Sequence, residues 1–218
     1  NESVPRVQAD QAVTLGYDGS GTAIVIMDSG VELDHPFLQD GAGQSRVVAE
    51  ACFSTTSAID SATSLCPGAL PADGAYTSTA PRSGAARPAF IPGCEHGTLV
   101  AGIAAGRGGS FNGVAPGADI VSIQIFSRLD DPSFCGGLPT CLGSFPSDEL
   151  AAGLYVRDTL RGPLASPIAA INLSLGGSAF KIPCDTTFPD EADLIASLRT
   201  LGIATVLGSG NEHKNGTV

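Results

Sequence analysis

The sequence predicts an α/β fold: a mainly parallel sheet flanked by helices. Short apolar runs recur along the chain, as AIVIM (23–27), IVSIQI (120–125), IAAINL (168–173) and IATVL (203–207). Helical patterns separate them, over His96–Gly106, Asp148–Leu160 and Asp190–Leu201. A strand, a helix and then another strand need crossover connections, and crossovers join parallel strands.

Each element has a local reason. The run at 23–27 is bounded by Gly21 and Gly30 and reads as a buried strand. In His96–Gly106, Val100, Ile103 and Ala104 fall at helical spacing, and the small residues between them permit close packing. Pro116-Gly117 then makes a turn before the strand at 120–125. For Asp148–Leu160 the expected cap is Ser147, with acids in the first turn and Leu150, Ala151, Leu154 and Tyr155 along one face. Asp190, Glu191 and Asp193 suit the positive end of the last helix, Leu194, Ile195 and Leu198 share its apolar face, and Gly202 stops it. Segments 39–93 and 128–146 are rich in Ser, Thr, Ala, Gly and Pro with little periodicity, and are expected to be surface insertions in a single domain spanning 1–218.

Composition narrows the function. Acids outnumber bases 22 to 11, giving a net charge of −11 with two lysines, Lys181 and Lys214. No basic stripe exists to neutralise phosphates, so neither nucleic acid nor an anionic membrane is an expected partner. No apolar run approaches the roughly 20 residues of a membrane helix. Six cysteines among 28 glycines and 15 prolines point to an oxidising, secreted or extracellular setting. Cys135 and Cys141 are close enough to close a small loop; two of Cys52, Cys66 and Cys94 are expected to pair, and Cys184 with the remaining one or with a group elsewhere.

Ligands of parallel sheets bind beyond the carboxyl ends of the strands. Asp28 follows the first strand, Ser174-Leu175-Gly176-Gly177 the third and Gly208-Ser209-Gly210-Asn211 the last, so these residues converge on one edge. With them the sequence resembles the subtilisin-like serine proteases, the subtilases. AIVIMDSGVELDHPFL is similar to that family's aspartate motif and HGTLVAGIAAG, followed by GVAPGADIVSIQIF, to its histidine motif. AINLSLGG resembles the substrate-binding strand and ATVLGSGN the strand that ends in the oxyanion asparagine. One such triplet is weak evidence; four in family order over residues 22–211 are strong.

The resemblance implies a serine endopeptidase with peptide or protein substrates and no cofactor for the chemistry. Asp28 would orient the imidazole, His96 would act as general base and acid, and Asn211 would donate to the oxyanion. Ser174, Leu175 and Gly176 with Gly208, Ser209 and Gly210 would wall the substrate pocket, and the free backbone there would bind an extended peptide. No charge stands in those walls, so an apolar or broad preference is expected. His35 and Asp34, within the aspartate motif, read as structural. Asn172 and Asn215 both fit the glycosylation pattern, Asn172 at the end of a buried strand.

The chain departs from the family pattern at three points. Leu99 stands where a second histidine is common. Phe37 stands where an acid often helps hold a structural calcium, and the loop around Arg107–Asn112 is short, so that metal site is not expected. No G-T-S-M-A-like segment carrying the nucleophile occurs in these 218 residues. The expectation is therefore an N-terminal portion of a larger catalytic domain, inactive alone, with a pro-segment removed. The alternative is a subtilase-like fragment or pseudoenzyme that binds or complements another chain. Two other chemistries are weaker. A metal site from Asp28, Asp34, His35 and His96 lacks the H-x-x-x-H pattern, and a Cys94–His96 pair is awkward at two residues' separation.

Overall fold

The computed structural model describes residues 3–86, 91–176 and 183–211. In chain order these hold α1 (Ser3–Arg6), α2 (Ala9–Thr14), β1 (Ala23–Asp28), β2 (Val47–Thr56), β3 (Ala62–Ser64), β4 (Gly74–Ser78) and α3 (His96–Ala105). There follow β5 (Asp119–Gln124), β6 (Phe126–Leu129), β7 (Cys141–Ser144), α4 (Pro146–Tyr155), β8 (Ile168–Leu173), α5 (Pro189–Thr200) and β9 (Ala204–Leu207). Six strands form one sheet in the order β4-β2-β5-β1-β8-β9, all pairs parallel except β2–β4. The expected fold class is the observed one.

The period of two along β1 divides the core. Val25 and Met27 join Val121, Ile123 and Ile171 beneath α4 and α5, whose Ala152, Leu194 and Leu198 complete that cluster. Ile26 and Ile120 face the other way, onto Ala101 and Ala105 of α3. Burying each large side chain contributes about 1.5–3 kcal/mol, so both faces of the central strands are committed. A slip of one residue would exchange the two faces.

Of the face expected for α3, Val100 and Ala104 pack against the core beneath it, but Ile103 does not. Gly97, Ala101 and Ala105 are its buried residues, whereas Ile103 and Leu99 are about 60% exposed. A helix lying close to a sheet takes its smallest side chains inward, and the apolar spacing alone does not reveal this. In α4 the cap position is Phe145, Pro146 opens the helix, and Ser147 sits inside its first turn. The last turn, Val156–Leu160, widens into a π-helix. Gly202, at φ +79°, ends α5.

The two expected insertions are not simply surface loops. Segment 39–93 contributes β2, whose Ala51, Cys52 and Phe53 are buried between β4 and β5. The buried residues of β2 run consecutively from Ala51 to Ser54, with Thr56 beyond, and Phe53 is the one large side chain among them, so no aliphatic alternation marks the strand. Segment 128–146 supplies β7, which with β6 and β3 forms a second, three-stranded antiparallel sheet. Cys135–Cys141 forms the expected disulfide under that sheet, and Cys52–Cys66 is the bridge within the first trio. Cys184 is half-buried and outside both bridges.

Candidate active site

Asp28 ends β1 and His96 begins α3. Parallel registers carry a row across the sheet's carboxyl edge. Ile26 is level with Asn172 of β8, and Asn172 with Val206 of β9. Asp28 closes β1, and Ser174 and Gly208 follow directly on the last residues of β8 and β9, so all three lie at that edge. Gly208 donates its N–H to the Leu173 carbonyl at 3.0 Å. A Cβ at Gly208 would lie 2.8 Å from the Leu175 carbonyl oxygen, so the two loop ends touch and only glycine fits. The segments that follow β8 and β9 thus meet at Leu175 and Gly208. Asn211 is described and exposed, just beyond Gly210 at φ +86°; Gly177 and Asn215 lie outside the described residues.

Asp28 is wholly buried and its carboxylate is engaged on both oxygens. His96 Nδ1 donates to Oδ1 at 2.8 Å and lies 3.0 Å from Oδ2, and the Ser29 N–H donates to Oδ1 at 2.7 Å. The imidazole keeps 48% of its surface exposed, so the tautomer with a proton on Nδ1 leaves Nε2 as an acceptor. A buried carboxylate that fixes an imidazole's tautomer can stabilise an imidazolium when that imidazole takes a proton.

The pair depends on a close seat. Gly97 is buried against the turn after β1, where a Cβ would lie 2.3 Å from the Gly30 carbonyl oxygen and 3.1 Å from Asp28 Cβ. Gly30 itself sits at φ +91°, with the Ala85 carbonyl oxygen 2.6 Å from where its Cβ would be. Ser29, Gly30 and Gly97 were not among the expected site residues. Their signal was in view as the second and third letters of D-S-G and H-G-T.

The remaining candidates scatter. His35 Nδ1 accepts the Phe37 N–H at 3.2 Å and caps a 3₁₀ turn. Asp34 pairs on the surface with Arg82 at 3.4 Å. The metal set of Asp28, Asp34, His35 and His96 is thus divided, and no group of three or more metal-ligating side chains occurs among the described residues. The Phe37 ring packs at a tilt of 52° on Phe111, centroids 4.9 Å apart, and lies against Gly106 and Gly108. Asn172 donates its side-chain amide to Ser174 Oγ at 2.9 Å, so the first glycosylation triplet is engaged internally. Two carboxyls near the β2 end are raised chiefly by burial: Asp148, which accepts from Thr55, and Glu149, which accepts from Ser144. Asp148 Oδ2 is buried without a hydrogen-bond partner.

A mainly parallel sheet that carries a buried carboxylate hydrogen-bonded to an imidazole at its carboxyl edge has the arrangement needed for acid–base chemistry. A family model described as the subtilase family matches residues 19–217, and the chain belongs to that family. It is 27% identical over 218 residues, 99% of its length, to the minor extracellular protease Vpr of Bacillus subtilis (strain 168), and covers 21% of that protein. It is 32% identical over 129 residues to mycosin-3 of Mycobacterium tuberculosis (strain ATCC 25618 / H37Rv), covering 56% of this chain and 26% of mycosin-3. Its fold is similar to the structure of the Clostridium perfringens CspB protease, with a TM-score of 0.56 and 18% identity over 96% of this chain and 40% of that one. The chain therefore spans about a fifth to a quarter of the two curated relatives. Among the described residues no helix is long and apolar enough to cross a membrane.

Proposed function

We propose that the protein is a serine endopeptidase in which this chain supplies the acid–base half of the catalytic apparatus. The observation that carries the reading is the Asp28–His96 hydrogen bond, at 2.8 Å, beside an imidazole face left open to solvent. His96 takes the nucleophile's proton and returns it to the leaving amine, while Asp28 holds the tautomer and offsets the imidazolium charge. The serine is contributed by a part of the protein beyond these residues and approaches Nε2, because Nδ1 is committed to Asp28. Asn211 donates to the oxyanion from the end of β9.

The substrate is an extended peptide laid along Ser174–Gly176, with Gly208–Gly210 as the opposite wall. The close glycine approach and lack of charge in these walls support an apolar or broad preference at the residue before the cleaved bond. Metal takes no part in the chemistry, and Phe37 with Phe111 replaces calcium in holding the loop after α3. Secretion is supported by two disulfides and by the extracellular relative.

The test is labelling of the full-length protein by a serine-directed fluorophosphonate. Labelling that disappears in His96→Ala and persists in chelator is the expected result. A folded full-length protein that never labels would mean that the chain serves as a binding or complementing module.

A further inference from the structure

We propose that Ser29 is a positioning residue that locks the Asp28–His96 pair by capping, from another element, the helix that His96 begins. The inference rests on the reading of Asp28 and His96 given above.

A helix's first turn leaves backbone N–H groups without partners inside the helix, and a side-chain oxygen at the preceding residue usually accepts one. In α3 that preceding residue is Glu95, whose side chain makes no cap bond. The duty falls to a residue 68 positions earlier. Ser29 Oγ accepts the Gly97 N–H at 3.0 Å and donates its own proton to the Cys94 carbonyl at 3.2 Å. The hydroxyl thereby bridges the backbone on both sides of His96. At 2% exposure it has no water to take over either bond.

The same residue also holds the other partner. Its backbone N–H donates to Asp28 Oδ1 at 2.7 Å, the oxygen that accepts from His96 Nδ1. One residue therefore fixes the carboxylate's rotation through its backbone and the histidine's backbone position through its side chain. A second stitch runs alongside: the Glu32 N–H donates to Thr98 Oγ1 at 2.9 Å. These bonds and the Cβ-free contact of Gly97 with Gly30 make the Asp-bearing and His-bearing turns a single unit. A serine that only filled space would not need both hydroxyl roles.

Ser29→Ala removes the hydroxyl and leaves the backbone bond to Asp28. In the full-length protein, kcat on a peptide substrate is expected to fall about tenfold to a hundredfold, as expected for loosened orientation, with KM unchanged. The acid limb of the pH–rate profile moves to lower pH, since a looser carboxylate stabilises the imidazolium less. The low-field Nδ1–H resonance of His96, read by NMR, broadens or is lost. Ser29→Thr, which keeps the hydroxyl, restores all three. A folded Ser29→Ala protein with wild-type kcat, pH profile and Nδ1–H resonance, altered only in melting temperature, would overturn the proposal. The resonance does not require turnover, so an inactive wild-type protein would count against the protease reading while this inference remained testable.

Discussion

Adding one methyl group at Gly97 tests how tightly the Asp28–His96 pair, catalytic on the proposed reading, is built. An alanine Cβ there would stand 2.3 Å from the Gly30 carbonyl oxygen, where a carbon–oxygen contact needs about 3.3 Å. The neighbour is backbone and cannot swing aside, so the start of α3 must retreat by about 1 Å. His96 moves with it, and an Nδ1–Oδ1 distance of 2.8 Å opens beyond hydrogen-bond reach. A displacement of this size costs roughly a hundredfold in rate, and complete loss of the tautomer lock about ten-thousandfold. Gly97→Ala should therefore lower kcat by a factor between those limits. Overpacking should also cost about 1–3 kcal/mol, or a few degrees in melting temperature. Steady-state kinetics and calorimetry on the full-length protein measure both. Wild-type kcat with an unshifted melt would refute the claim that this contact sets the pair's geometry.

Three further outcomes follow from other parts of the molecule. Burial raises the native pKa of Asp148, so from about pH 4 upward the folded chain binds more protons than the unfolded one and stability falls as pH rises through the native value. Asp148→Asn should flatten that decline in denaturant titrations at several pH values, and an unchanged slope would sink the argument. Phe37→Ala should cost about 2 kcal/mol, below the range for a fully buried ring because Phe37 is half-buried, and should speed hydrogen exchange across residues 106–112. Chelator should leave wild-type exchange in that loop unchanged; faster exchange would show that a metal holds it. Replacing Cys135 and Cys141 together by serine should lower unfolding free energy by about 2 kcal/mol, as expected for a short closed loop. Equal denaturation midpoints would show that the bridge does not constrain the unfolded chain.

How much of this was legible beforehand depended on side-chain size. The strands at 23–28 and 168–173 declared themselves through Ile, Val and Met, and the helix at 189–200 through its acids and Gly202. β2 did not, because its buried positions are Ala51, Cys52, Phe53, Ser54 and Thr56. Ser54 is buried at no hydrophobic cost because it bonds the Phe126 carbonyl and Ser127. Such a strand has no apolar signature, and only its neighbours reveal it. In the candidate site, Asp28 and His96 could be named because the chemistry requires those residue types. Ser29 and Gly97 stand in the D-S-G and H-G-T triplets, but their roles, a hydroxyl bridge and the absence of a Cβ, appear only when residues 68 positions apart meet.

The site's two halves differ in how they are held. Asp28 lies at the end of a strand paired on both sides and covered on both faces, with every strand residue buried except Ile24, which is half-buried. Motion there would require opening the core, so its local stability should approach that of the whole domain. The Gly208–Asn211 end hangs from β9, the last strand in the sheet, where Val206 and Leu207 are more than half exposed. An edge strand with exposed apolar residues has few contacts to resist fraying. Preorganised donors help an oxyanion only if they stay still. On the proposed reading, the Asp28–His96 geometry is held by the core, whereas a donor at Asn211 hangs from a strand that resists fraying less. If Asn211 serves as proposed, changes that loosen β9 should therefore lower kcat while leaving the Asp28–His96 bond as it stands.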